Sequence, residues 1–168
     1  MRSDGVVLEH SVDAAVTPEF AWKIRTDVTT WNDPPARFSI DGPFSQGTRG
    51  TTIIPGQDPL RWVIGLVVPG KSFVIEILLD GALLCFEWQF DELPGEGTRL
   101  TQRIRLSGDN AEAYVTQVEK GFGPTLADGM NRVVEQLMEA DGVRRAQPDS
   151  GYEALLRIIQ SRTGQNRS

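Results

Sequence analysis

One cysteine and one histidine in 168 residues leave little room for cross-links or metal centres. Cys85 alone cannot close an intrachain disulfide. Cys85 and His10 together fall short of the ligand set that a structural zinc site needs, and no calcium-loop spacing of acids is present. No metal and no cofactor are therefore expected. Long apolar runs are missing too: nothing approaches the ~18 residues of a membrane span. The opening MRSDGVVLEH lacks the apolar stretch of a signal peptide, so the expected location is cytoplasmic, without membrane insertion. Clustered positive charge is also absent. The net charge is -6, and the segment GVRRAQ holds only Arg144 and Arg145. Nucleic-acid binding needs cations that displace counterions from phosphate, so that class is excluded, as is an anionic membrane surface.

What remains is ordinary for one globular domain: 39% hydrophobic and 24% charged residues. Residues 6–15 alternate, with Leu8, His10, Val12 and Ala14 on one face of a half-buried strand. Thr17-Pro18-Glu19 reads as a helix start, with a hydroxyl cap, proline at the first position and an acid in the first turn. Phe20, Ile24 and Val28 form its expected buried stripe, and the Pro34-Pro35 pair stops it. From Arg37 to Leu106 strand patterns recur, at Phe38–Ile40, 48–54, 60–68, 72–79, 83–90 and 98–106. Pro55-Gly56, Pro69-Gly70 and Asp80-Gly81 punctuate them, which argues for an antiparallel meander. The period then becomes helical. Asp109 with Glu112 fits a capping box, and Tyr114, Val118 and Phe122 follow at helical spacing. Gly121-Phe122-Gly123-Pro124 must kink or break the helix, which restarts through Leu126, Met130, Val133, Val134, Leu137 and Met138. Ser150 and Glu153 mark a further helix whose face carries Tyr152, Leu155, Leu156 and Ile159.

Gly65 to Ser72 matches the phosphate-loop pattern G-x-x-x-x-G-K-[ST] letter for letter. That mechanism requires a following helix whose N-terminus faces phosphate. SFVIEILLDG is a strand pattern instead, so nucleotide binding is rejected and Pro69-Gly70 is assigned to a hairpin turn.

The segments HSVDAAVTPEFAWKIRTDVTTWNDP, GPFSQGTRGT, GEGTRLTQRIRL and GPTLADGMNRVVEQLMEA carry a resemblance to the START-like superfamily, also called SRPBCC, and within it the polyketide cyclase/dehydratase group. Trp22, Asp27 and Trp31 occupy that family's aromatic and D-x-x-x-W places. The resemblance spans about residues 6–140 and implies an α+β helix-grip fold. A curved antiparallel sheet of about seven strands would wrap a long, kinked C-terminal helix, with a cavity between them. Residues 1–141 would form the ligand-binding domain and 142–168 a helical extension of it.

Row by row, the strand faces name the expected lining: Phe38; Trp62 and Ile64, with Leu66 in phase; Phe73, Ile75 and Ile77; Phe86 and Trp88; Gln102 and Ile104. The helix would add Tyr114, Val118, Phe122, Leu126 and Met130. Large aromatics mixed with isolated polar groups are how ligand pockets are lined, although a close-packed core would use the same residues. His10 is either a core histidine bonded to backbone or a proton carrier. Gln102 either bonds neighbouring strands or orients a ligand. Tyr114 either presents its hydroxyl to the pocket or reaches solvent. Glu76 and Glu87 fall on the opposite phase and are expected to face solvent, while Asp33 and Arg37 flank a possible entrance. Three functions follow: a binder of a small hydrophobic, lipid-like or aromatic molecule; a cyclase or dehydratase using His10 or Tyr114 as acid/base; or an interaction module, with a homodimer formed through the last helix.

Overall fold

Seven strands and three helices follow one another in a computed structural model that describes residues 5–146 and 158–159. The strands are β1 (Val6–Ala14), β2 (Arg37–Ile40), β3 (Arg49–Ile53), β4 (Leu60–Val68), β5 (Ser72–Leu79), β6 (Ala82–Leu93) and β7 (Gly97–Ser107). The helices are α1 (Pro18–Arg25), α2 (Val115–Phe122) and α3 (Leu126–Ala146). The order across the sheet is β1-β7-β6-β5-β4-β3-β2, with every pair antiparallel. Strands β2 to β7 form the expected meander, because each turn is too short to do anything but reverse the chain. The β1–β7 pairing closes the other edge over a long sequence separation. It is sealed by Thr98 Oγ1, which donates to the Val16 carbonyl at 2.7 Å in a fully buried position.

The concave face carries the core. Trp62, Ile64, Phe73, Trp88, Phe90 and Leu100 are buried with Met130 and Leu137 of α3. A second cluster of Leu84, Ile104 and Leu106 packs against Val118. Each such side chain contributes about 1.5–3 kcal/mol through burial. The convex face carries an ion network beside exposed apolar residues such as Leu78. Arg103 bridges Glu9 and Glu87 at 3.1 and 3.2 Å, and Arg105 reaches Glu87 at 3.0 Å. Glu87 is therefore half-buried within an ion network on the outer face, and Glu76 lies on that face opposite Val63 and Cys85.

Three local expectations are corrected. Leu66 is 58% exposed, whereas it was in phase with Trp62 and Ile64. The register between β4 and β5 slips after Ile64, a β-bulge at Gly65 that turns Leu66 outward and brings Val67 to the core. A Cβ at Gly65 would clash with the Glu76 carboxylate, so a side chain there would have to displace Glu76. Gly65–Ser72 is thus strand, turn and strand, and Gly70 adopts φ +75° in the turn. Next, no Asp109 capping box forms: a 3-10 turn at Ala111–Tyr114 leads into α2 without a side-chain cap. The buried residues of α1 are Ala21 and Arg25, and Phe20 and Ile24 are only half-buried.

The break at Gly123-Pro124 falls where the sequence places it, and α3 then runs unbroken to Ala146. The terminal helix from Ser150, and the homodimer expected through it, lie outside the described residues apart from Ile158 and Ile159.

Candidate functional site

A short stretch after β1 builds the floor of the site. The Thr17 hydroxyl accepts from the Phe20 amide at 3.2 Å, capping α1, and Pro18 opens its first turn. At the other end, three side chains donate to carbonyls of the last turns; those of Trp22 and Ile24 also accept from the Thr26 and Asp27 amides, at 2.9 and 3.2 Å. Thr26 Oγ1 donates to the Trp22 carbonyl at 2.7 Å, Thr30 Oγ1 to that of Ile24 at 2.7 Å, and Trp31 Nε1 to that of Arg25 at 2.9 Å. Asp27 sets the connecting turn by accepting from the Thr29 amide at 3.0 Å. The Asp27 and Trp31 pattern is thus a device that folds the Trp31 ring back over the end of α1. There Trp31 stacks on Trp62 at 5.6 Å and meets Phe38 edge-on at 5.5 Å. Trp22 points the other way, edge-on to Phe73 and Phe90, and locks α1 to the sheet.

Between this floor and α3 lies a cavity of about 730 Å³. Strands contribute Phe38 and Trp62, then Phe73, Ile75 and Ile77, then Phe86 and Trp88, then Gln102 and Ile104. Phe122, Leu126, Gly129 and Val133 close it from the helix side. Phe122 is partly exposed and packs edge-on against Phe86 at 5.2 Å. The rim is polar, with Asn32, Asp33, Arg132, Glu135 and Glu139 exposed. Gln136 bridges from α3 to the Thr30 carbonyl and ties the roof to the floor.

Four expected lining residues are placed elsewhere. Ile64, Val118 and Met130 are buried in the two core clusters, because the sheet meets the helices directly at those points. Tyr114 packs at the far end of the sheet and donates its hydroxyl to the Asp80 carbonyl at 3.0 Å. His10 pairs with Gln102 across β1 and β7, so it shares the concave face, yet it is not part of the cavity wall. Asp33 lies on the rim.

Arg25 was not anticipated. It forms part of the wall while only 8% exposed. Its guanidinium carbon sits 4.5 Å from the Trp88 ring centre and 5.7 Å from that of Trp31. Nε is shut off from solvent and has no hydrogen-bond partner among the described residues. Burial pushes the guanidinium down to about 10, so it remains cationic at neutral pH. A basic residue in a last helical turn ordinarily reads as a partner for the helix dipole, as Lys23 does, and this reading hides Arg25 in the sequence. The available signal was its spacing, four residues after Ala21 and three before Val28, on one side of the helix.

No family model and no curated protein matches the chain. Solved structures do. The Zhui aromatase/cyclase from Streptomyces sp. R1128 is 19% identical, with a TM-score of 0.59 over 83% of this chain and 94% of that one. Norcoclaurine synthase from Thalictrum flavum, solved with dopamine and hydroxybenzaldehyde, is 14% identical, with a TM-score of 0.59 over 79% and 86% of the two chains. A Thermobifida fusca protein solved by NMR is 13% identical, with a TM-score of 0.61 over 77% and 91%. The chain therefore shares the helix-grip fold of these proteins, with its cavity between sheet and long helix.

Proposed function

We propose that this protein binds a small, largely apolar molecule in the cavity between the concave sheet and α3. The observation that carries the reading is the cavity itself. Its volume of about 730 Å³ lies within the range of small-molecule sites, and aromatic and aliphatic side chains dominate its wall. Interiors are ordinarily filled to crystal-like density, so a hollow of this size left among Phe73, Trp62 and Trp88 calls for an occupant. The likeness to a norcoclaurine synthase solved with two small aromatic molecules, and to an aromatase/cyclase, supports an aromatic or polyketide-like occupant over a long-chain lipid.

The cyclase or dehydratase reading needs a proton-carrying group against the substrate. Among the described residues, the carboxylates at the cavity are Asp33, Glu135 and Glu139, all on the exposed rim. His10 and Tyr114 stand off the wall. Binding is therefore the better-supported function.

The test is titration with 1-aminoanthracene, a neutral fluorophore that brightens in apolar sites, on the natural protein and on Gly129→Leu. Gly129 lines the cavity, and a Cβ there meets only Arg132 Nη2, at 3.9 Å. Leucine is also a much better helix former than glycine, which trails alanine by roughly 0.8–1 kcal/mol, so a loss of binding would not reflect a loss of fold. Saturable binding that Gly129→Leu weakens at least tenfold is expected. Absence of binding, or binding indifferent to Gly129→Leu, refutes the proposal.

A further inference from the structure

We infer that Arg25 is an anchor for a carboxylate on the bound molecule, so that the site selects aromatic acids over their neutral counterparts. This rests on the cavity being a ligand site, and it adds the ligand's charge and polarity to that reading.

A buried guanidinium normally has a carboxylate or several carbonyls around its five donors, since an unpaired buried charge is strongly disfavoured. No described residue accepts a hydrogen bond from this one, and Nε is closed off from solvent with nothing facing it. The acids around it do not neutralise it. Asp33, Glu135 and Glu139 stay on the exposed rim, while Asp27 is exposed and turned to Thr29. Burial is the sole cause of its perturbation, with no charged partner contributing.

What Arg25 does have is a rigid seat. Trp88 and Trp31 lie 4.5 and 5.7 Å from its guanidinium carbon, and Trp31 is itself tied to the Arg25 carbonyl. Aromatic rings that cover guanidinium faces leave the in-plane N–H edges for recognition, the geometry that suits a planar carboxylate held by two parallel bonds. Gln102 stands opposite Trp88 in the β6–β7 register and also lines the cavity, and no described residue bonds its amide. One cation and one amide, neither hydrogen-bonded to a described residue, therefore flank Trp88 in a chamber whose wall is mainly apolar. A neutral hydrocarbon would leave both unsatisfied. An aromatic acid would pair its carboxylate with Arg25, lay its rings on the apolar wall and offer Gln102 any carbonyl or hydroxyl on its far side.

The experiment compares matched probes: anthracene-2-carboxylate, anthracene-2-carboxamide and 1-aminoanthracene, followed by fluorescence at pH 7.5 with the natural protein, Arg25→Met and Arg25→Lys. The carboxylate should bind the natural protein about tenfold to a hundredfold more tightly than the amide, as expected for a buried charge-assisted pair. That preference should persist at about 0.5 M salt, because buried pairs are weakly screened. It should fall to about one in Arg25→Met and return in part in Arg25→Lys. Equal binding of carboxylate and amide by the natural protein, or a preference that survives in Arg25→Met, overturns the anchor while 1-aminoanthracene binding leaves the cavity reading intact. If none of the three probes binds, both fail. Should Arg25→Met not fold, the natural protein and Arg25→Lys decide the question by the same ratio.

Discussion

Replacing Arg25 by methionine should make the empty protein more stable. A folded-state value of about 10, well below the ordinary guanidinium range, means that the native state disfavours the charged guanidinium. At about 1.4 kcal/mol per pH unit, the penalty is about 3 kcal/mol at neutral pH. Removing the guanidinium also removes its stacking on Trp88 and Trp31, a contribution of about 1 kcal/mol. Methionine retains the apolar stem and adapts to irregular space, so little packing is lost. The net gain is about 2 kcal/mol, which for a chain of this length raises Tm by roughly 4–8 °C. The pH dependence carries the same sign. Because the folded pKa is the lower one, the native state binds fewer protons than the unfolded state from about pH 10 up to the ordinary guanidinium value, and the natural protein gains stability as pH rises through that window. The advantage of Arg25→Met is therefore complete at pH 7 and shrinks above pH 10. Thermal melts followed by circular dichroism at pH 7 and pH 10.5, without ligand, measure both effects. A drop in Tm of several degrees at pH 7 would refute the reasoning, because it would mean that Arg25 holds the fold together through a partner.

Two further outcomes follow from positions away from Arg25. Gly50→Ala would push a methyl group into the six-membered ring of Trp62, which is held between Trp31 and a 3.0 Å bond to Thr52. Overpacking of this kind costs about 1–3 kcal/mol, so the same melts should show a loss of roughly 2–12 °C, and an unchanged Tm would show that the ring is free to move. Burial, followed by the charge of Glu76, pushes the Cys85 thiol up to about 11, so its thiolate is scarce at pH 8. Its reaction with a disulfide reagent should run roughly two orders of magnitude slower than that of a free thiol and match it once urea unfolds the chain; equal rates in the native protein would contradict the placement.

Local chemistry determined much of this protein. Alternation in residues 6–15, the dipeptides Pro69-Gly70 and Asp80-Gly81, and the Gly123-Pro124 break each act within a few residues of chain, so strands, turns and helix interruption are legible one segment at a time. The polar phase of Glu76 and Glu87 is legible for the same reason, since a strand's period of two assigns faces without knowledge of neighbours. The bulge at Gly65, which reversed the phase of Leu66, depends on how β4 meets β5 and has no local mark beyond one glycine. Whether Met130 and Val118 would fill the interior or border a hollow depends on the separation of helix from sheet, a property of neither element alone. Arg25 is the clearest case. Its charge is written in the chain, but that no described residue hydrogen-bonds to it depends on the positions of residues distant in the chain, and only the closed tertiary structure decides it.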